Sequence, residues 1–335
     1  MQLSNSLMTK SILAVAVISF FIAGLLYGTA QPIGFTGSEP VTIIIKKGMS
    51  ANDIALLLKE QGLIKSTILF RLNVQWQGLA NSLQAGEYSF TPDMNMQKMT
   101  AMLAKGEVAY QQFTIPEGFT IDQIAALLES KQIANAAKFK LAAKNYQPFA
   151  YIAADARVNY KPEGFLFPDT YRVPRGISEE ELLRLMIKEF DYYFTAAMRD
   201  KAKQLGLTIR EVAILASLVE KEAGVEKDRP LIAGVFLNRL KQAMPLQSCA
   251  TIQYILGFPK AELSIKDTEL PSPYNTYLNM GLPPGPIANA GMSSIMAVLE
   301  PAVTDYLYFV ADSKGFHRFS KTYEEHLIAI EQVSQ

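Results

Sequence analysis

The stretch VTIIIKKGMSANDIALLL, residues 41–58, returns 70 residues later as QQFTIPEGFTIDQIAALL, residues 111–128. Each copy begins with alternating apolar residues, which predict a half-buried β-strand. A glycine follows in both copies and gives the chain the freedom to turn. Ser50 in the first copy and Thr120 in the second stand where an N-cap hydroxyl would begin an amphipathic helix. The repeat therefore predicts two strand–turn–helix segments and an α+β fold.

The residues that follow each copy extend this pattern into two units. After the first copy we predict helices at 66–77 and 96–105 and a strand at 85–90, which make a small α+β unit of residues 41–110. The second copy begins a larger α+β unit, residues 111–335, which ends in a β-hairpin and a final helix. Further helices are predicted at 121–131, 136–143, 178–205, 209–222 and 227–241, and loops at 270–291.

The composition excludes several classes of function. Lys and Arg number 32, as do Asp and Glu, so the net charge is zero, which argues against a nucleic-acid-binding protein that works through a strong overall field. A single cysteine, Cys249, excludes an intrachain disulfide and the common structural zinc sites. With only His317 and His326, a three-histidine metal site is impossible, and we expect these two histidines to brace the C-terminal hairpin. No cofactor and no metal are expected.

The N-terminal segment predicts a membrane anchor. Residues 11–30 carry no charge and are mostly apolar, close to the roughly 20 residues that a helix needs to cross a bilayer. Because Lys10 precedes this segment, residues 1–10 should face the cytoplasm, and the remainder should lie outside the inner membrane after a linker at 31–40. A cleaved signal peptide is the alternative, because residues 28–30 resemble a small-residue cleavage site.

One predicted helix carries candidate acid–base residues. Thr208 and Glu211 have the spacing of a capping box at the start of helix 209–222. Glu220 and Glu222 lie near its end, on opposite shoulders of its apolar stripe. A carboxyl at an apolar boundary has its charged form disfavoured and can serve as a general acid. A solvated helix end is the alternative, and the helical wheel does not choose between the two glutamates.

The segments downstream of this helix are rich in amides, hydroxyls and aromatic rings and poor in charge. Such residues suit a neutral polar polymer such as a sugar chain, although Asn and Pro also serve simply to turn the chain. Arg239, on the helix that follows, is predicted to form a structural salt bridge with a carboxylate. The candidate glycan contacts are Gln247, Ser248, Tyr254, Asn275, Tyr277 and Asn238.

Six motifs together resemble one known family, the endolytic murein transglycosylases of the YceG-like family. In chain order they are EGFLFPDTY at 163–171, LASLVEKE at 215–222, VFLNRL at 235–240, LQS at 246–248, YNTY with GLPPGPI at 274–287, and YLYFVA at 306–311. The chain departs from the family pattern at Cys249-Ala250, where many members have Asp-Pro, and at Asn289-Ala290-Gly291, where many have Asn-Pro-Gly.

The resemblance implies a specific architecture and activity. It implies a single-span protein with a LysM-like module at 41–110 and a catalytic domain at 111–335, in which Glu220 is the catalytic acid/base. The implied reaction is non-hydrolytic cleavage of the β-1,4 bond between N-acetylmuramic acid and N-acetylglucosamine in nascent peptidoglycan strands, which leaves 1,6-anhydro ends and terminates polymerisation. Penicillin-binding protein synthases are the implied partners.

Two alternatives stay open from the residues alone. A membrane-anchored protein that binds peptidoglycan or recruits synthases without catalysis would use the same glycan contacts. A hydrolytic muramidase would need a second carboxylate, for which Glu222 and Glu269 are the candidates.

Overall fold

A computed structural model provides the coordinates of the protein. No helix among the described residues is both long and apolar enough to cross a bilayer. The predicted anchor at 11–30 and the alternative cleavage site at 28–30 lie largely outside the described residues, so both stay predictions. The described residues are Leu13, 16–21, Gly24, 39–152, 156–260 and 262–333.

The described chain divides into two compact units. The first contains the described residues up to Gln111 together with Arg172–Gly176, and the second contains Gln112–Tyr171 and the residues from Ile177 onward. Small two-stranded sheets stand among many helices in the described residues. The predicted α+β class is therefore confirmed.

The first unit packs three helices against one antiparallel strand pair. Strand β1 (Val41–Ile45) pairs with β2 (Gly86–Phe90). Because side chains alternate along a strand, Ile43 and Ile45 of β1 and Tyr88 and Phe90 of β2 point to the same buried face. The helices are α1 (Ala51–Glu60), α2 (Thr67–Trp76) and α3 (Met96–Lys105), each with an N-cap side chain.

The second unit is mainly helical. The predicted single helix at 178–205 is wrong, because one helix ends at Tyr193 and the Thr195 hydroxyl caps a second one. Strands β3 (Tyr110–Thr114) and β4 (Thr170–Pro174) each have residues assigned to both units. The other elements are α4 (Ile121–Ser130), α5 (Ala136–Ala143), α6 (Glu179–Tyr193), α7 (Ala196–Gln204), α8 (Ile209–Glu222), α9 (Arg229–Lys241), α10 (Cys249–Leu256), α11 (Ile265–Thr268), α12 (Met292–Leu299), β5 (Tyr308–Ala311), β6 (His317–Ser320) and α13 (Tyr323–Val333).

Helix α8 lies in the core of this unit. Its predicted capping box, Thr208 with Glu211, is present. Every residue from Val212 to Val219 is buried, so the helix is buried on all sides there rather than along one stripe. It packs against α9, α10 and α12. Glu220 thus follows directly on a fully buried segment, and the solvated helix end considered from the sequence does not describe it.

Candidate active site

Glu220 lies at the junction of α8, α9 and α12. Its side chain is 8% exposed. Its Oε2 atom accepts hydrogen bonds from the Gly291 amide at 3.0 Å and from the Ser294 hydroxyl at 2.8 Å. The guanidinium of Arg229 lies 3.3 Å from the same oxygen. Because Gly291 and Ser294 stand at the N-terminus of α12, the positive end of that helix adds to the arginine, and the arrangement stabilises negative charge on Oε2.

Glu117, which no sequence motif singled out, brings a second carboxyl to the same place. A Cβ placed on Gly291 would lie 1.9 Å from Glu117 Oε1, so this carboxyl occupies the space beside the glycine Cα. Partial burial raises the pKa of Glu117, the Glu220 charge raises it further, and Arg229 opposes these effects. The available signal was the repeat itself, in which Glu117 stands where the first copy has Lys47.

Glu222 has a different environment from Glu220. Its Oε1 atom accepts hydrogen bonds from the Ser248 hydroxyl and from the Ala250 amide, at the N-terminus of α10. A proline at position 250, as in the usual family pattern, would have no amide hydrogen to donate there. Glu222 therefore anchors α10. Ser248 is only 2% exposed, and its hydroxyl donates to Glu222.

Glu163, the first residue of the EGFLFPDTY motif, carries a buried carboxyl at the start of α4. It is 2% exposed. It accepts hydrogen bonds from the Ile121 amide at 3.0 Å, from Asn289 Nδ2 at 3.2 Å and from the Tyr254 hydroxyl at 3.4 Å. Burial raises the pKa of Glu163 to about 8 in spite of these donors. The residue ties the start of α4 to the chain just before α12.

A cavity of about 300 Å³ opens between the end of α8 and helix α10. Among the predicted glycan contacts, Tyr254 lines it. Lys221 also lines it, and its ammonium group donates to the Gly118 carbonyl at 3.4 Å, so this lysine does not simply point into solvent. The full lining is Thr120, Asp122, Gln123, Ala126, Lys221, Ala250, Gln253, Tyr254, Gly257, Phe258, Pro259 and Ile287.

Two of the predicted glycan contacts have their amides directed to main-chain carbonyls. Asn275 is fully buried, and its Nδ2 atom donates to the carbonyls of Thr268 at 2.9 Å and Leu270 at 2.8 Å. Asn238 donates to the carbonyls of Thr304 at 2.8 Å and Tyr306 at 3.0 Å. The structure thus gives both side chains loop-shaping partners, and glycan contact by either one stays a prediction.

Gln247 and Tyr277 lie close to Glu222 and α10. Gln247 has φ +51° and accepts a hydrogen bond from Arg239 at 3.2 Å. The Tyr277 hydroxyl lies 3.1 Å from the Cys249 thiol. The predicted salt bridge of Arg239 is wrong, because its recorded partners among the described residues are carbonyls, the Gln247 amide and the face of the Tyr308 ring. Its planar set of donors suits carbonyl oxygens as well as carboxylates.

The two histidines lie near the terminal hairpin. His317 Nδ1 lies 3.1 Å from a carboxylate oxygen of Asp228, and the His317 amide donates to the same oxygen. His326 stacks on Tyr308. In the described part of the chain no group of three or more His, Cys, Asp or Glu residues could hold a metal ion.

Comparison with known proteins points in one direction. The model of the YceG-like family matches residues 43–332. The endolytic murein transglycosylase of Bacillus subtilis strain 168 is 37% identical over 316 residues, covering 90% of this chain and 87% of that protein. The endolytic murein transglycosylase of Streptococcus pneumoniae is 32% identical, covering 88% of this chain and 58% of that protein. A crystal structure of a YceG-like protein from Listeria monocytogenes is 34% identical with a TM-score of 0.60, covering 88% of this chain and all of that one.

Proposed function

Because the chain belongs to the YceG-like family, we propose that it is an endolytic murein transglycosylase, a carbon–oxygen lyase that cleaves within the glycan strands of peptidoglycan. The observation that carries the proposal is Glu220, a carboxylate at the end of a buried helix with three donors on one oxygen. The relatives that bear this enzyme name match nearly the whole length of the chain.

The reaction breaks the β-1,4 bond between N-acetylmuramic acid and N-acetylglucosamine. The C1–O4 bond breaks as the leaving oxygen takes a proton. The muramyl 6-hydroxyl then attacks C1 of the positive intermediate and loses its own proton, so the product ends in a 1,6-anhydro sugar. The nucleophile belongs to the substrate, so the reaction does not need the carboxylate that serves as nucleophile or activates water in glycoside hydrolases. In the simplest form Glu220 makes both proton transfers. It gives a proton to the leaving oxygen and takes one from the 6-hydroxyl.

The cellular role follows from the resemblance and the N-terminal segment. Residues 11–30 would anchor the protein in the inner membrane, with the catalytic domain on the extracytoplasmic side. The first unit would act as a LysM-like module. Beside penicillin-binding protein synthases, the enzyme would cut nascent strands and so terminate their polymerisation.

A peptidoglycan digest tests this function. The detergent-solubilised full chain is incubated with purified peptidoglycan and with nascent uncrosslinked strands, and mass spectrometry reads the ends. We expect internal fragments with 1,6-anhydro ends, and a loss of at least about 100-fold for Glu220→Gln. Glu222→Gln is the matched control, two residues away on the same helix, and we expect it to stay within about tenfold of the wild type because it acts through α10.

Other outcomes of the digest would identify the alternatives. Reducing ends would indicate a hydrolase, and Glu222→Gln and Glu269→Gln would then be compared for loss of cleavage. Binding of both substrates without any cleavage would indicate the non-catalytic binding or recruiting protein.

A further inference from the structure

The carboxyls of Glu220 and Glu117 both lie next to Gly291. The Gly291 amide donates to Glu220 Oε2, while the Glu117 carboxyl fills the space where a side chain at position 291 would begin. Glu117 comes from the turn before α4, and Glu220 comes from the end of α8. Two carboxyls from distant segments of the chain are thus held next to each other in the proposed active site.

The surroundings of the two carboxyls differ. Glu220 Oε2 has an amide, a hydroxyl and a guanidinium as partners. Among the described residues no hydrogen-bond donor contacts the carboxyl of Glu117. Because carboxylates that receive donors hold their charge more readily, a proton shared between the two groups belongs on Glu117.

The charged groups around Glu117 come from three elements and agree with this assignment. Glu220 of α8 and Glu226, in the turn before α9, disfavour its charged form, and Arg229 of α9 favours it. Arg229 is already committed to Glu220 at 3.3 Å and to Glu226 at 2.8 Å. Lys221 of α8 donates to the carbonyl of the next residue, Gly118.

We propose that Glu117 is a second catalytic carboxyl, which protonates the leaving oxygen while Glu220 accepts the proton of the attacking hydroxyl. The inference rests on the proposed function. It assigns to two residues the two proton transfers that one glutamate would otherwise make. The C1–O4 bond breaks as O4 takes the Glu117 proton, and the O6–C1 bond forms as Glu220 takes the proton from O6. The proton then returns from Glu220 to Glu117, so each cycle closes without gain or loss.

The exposure of the two residues suits these roles. Glu117 is exposed to solvent, whereas Glu220 is nearly buried. A general acid must reach an oxygen of a polymer that stays outside the protein, whereas a base that is fixed by three donors gains from being held in one place.

The first test compares two substrates with the full-length chain. Glu117→Gln should lower kcat/KM on peptidoglycan by about 100-fold, the usual contribution of a general acid. On a murein disaccharide that carries 4-nitrophenol as its leaving group, the same variant should lose less than about fivefold, because nitrophenolate leaves without protonation. On peptidoglycan, kcat/KM of the wild type should fall as pH rises through the pKa of Glu117, and Glu117→Gln should lose that fall.

The second test displaces Glu117 without changing it. Gly291 has φ −74° and ψ 171°, which alanine adopts without strain, and its amide stays available to Glu220. The new methyl group must push the Glu117 carboxyl aside. We expect Gly291→Ala to reproduce the loss on peptidoglycan, and to add little when combined with Glu117→Gln, as two changes to one interaction do. Thermal unfolding checks that both variants fold.

The outcomes separate this inference from the proposed function. If Glu220→Gln abolishes cleavage and Glu117→Gln does not, the transglycosylase stands and the second carboxyl is wrong. An equal loss for Glu117→Gln on both substrates also overturns the acid role, since a group that only positions others is not rescued by a better leaving group. A wild type that never forms anhydro ends overturns both proposals.

Discussion

The two copies of the strand–turn–helix repeat share a local structure and differ in what surrounds them. Both turn at a glycine in the left-handed region, with φ +90° at Gly48 and +74° at Gly118. Both then begin a helix with a complete capping box. The space beside Gly48 is open, whereas side-chain atoms of Glu220 and Lys221 lie 3.6–3.8 Å from a Cβ placed on Gly118. The same turn is a surface corner in one unit and part of the candidate active site in the other.

The residue before each glycine shows what this difference means. Lys47 in the first copy is exposed, as a charged residue in a surface turn normally is. Glu117 in the second copy lies against Gly291 and feels the Glu220 charge. A repeat of this kind shows that local sequence sets the backbone, while the neighbours brought by the rest of the chain decide what the side chain does.

Exchanging the two charges should produce the largest effect. Glu117→Lys should lower peptidoglycan cleavage by more than about 100-fold, because the acid is lost and a lysine forms an ion pair with Glu220. The matched change Lys47→Glu in the first copy should leave cleavage within about twofold of the wild type. The peptidoglycan digest measures both, and equal losses would show that the two turns are not functionally distinct.

Glu163 should give the next largest effect, and it acts on the helix of the second copy. Its pKa is about 8 in the folded protein against an ordinary value of 4.5. The folded state therefore keeps a proton that the unfolded chain releases, and the free energy of unfolding should fall as pH rises from about 4.5 to about 8. Glu163→Gln should remove this fall, which we expect to be on the order of 5 kcal/mol.

Chemical denaturation at several pH values, followed for the transition of the second unit, measures the Glu163 effect. Glu129→Gln, an exposed glutamate at the end of the same helix, is the control. A pH dependence that is the same in Glu163→Gln and in the wild type would contradict the prediction.

The capping boxes should show the smallest difference. Ser50→Ala and Thr120→Ala should each destabilise their own unit by about 1 kcal/mol, because each hydroxyl accepts a first-turn amide. Only Thr120→Ala should also slow cleavage, by about two- to fivefold, since Thr120 lines the cavity next to the Glu117 turn. Denaturation and the digest together measure this. A slower cleavage in Ser50→Ala would contradict the prediction that only the second copy contributes to cleavage.

The elements that could be predicted are those with strong local signals. The capping boxes at Ser50, Thr120 and Thr208 each mark the start of an observed helix. Helix α12 was missed, because its N-cap is Gly291, which has no side chain to signal a start. Helix α10 was also missed, and Ser248 at its N-cap gives its hydroxyl to Glu222 instead of to its own helix.

The residues of the candidate site also divide into those with a signal in the sequence and those without one. Glu220 and Glu222 were both candidates from their place at the end of an apolar helix, the family resemblance singled out Glu220, and its catalytic role stays a prediction. Glu117 and Glu163 were missed because neither stands out in its own segment. Their environments are made by residues far away in sequence, such as Glu220 and Gly291 for Glu117, and Asn289 for Glu163.

The sequence by itself determined the repeat, the α+β class, the helix that carries the two glutamates and the family. The family resemblance pointed to Glu220 rather than Glu222, but only the tertiary structure showed how their surroundings differ. The two residues stand two positions apart at the end of one helix, and the helical wheel does not separate them. Packing places Arg229 and the start of α12 at Glu220, and the start of α10 at Glu222. The chemistry open to a carboxyl depends on the charges and donors around it, and here long-range contacts supply them.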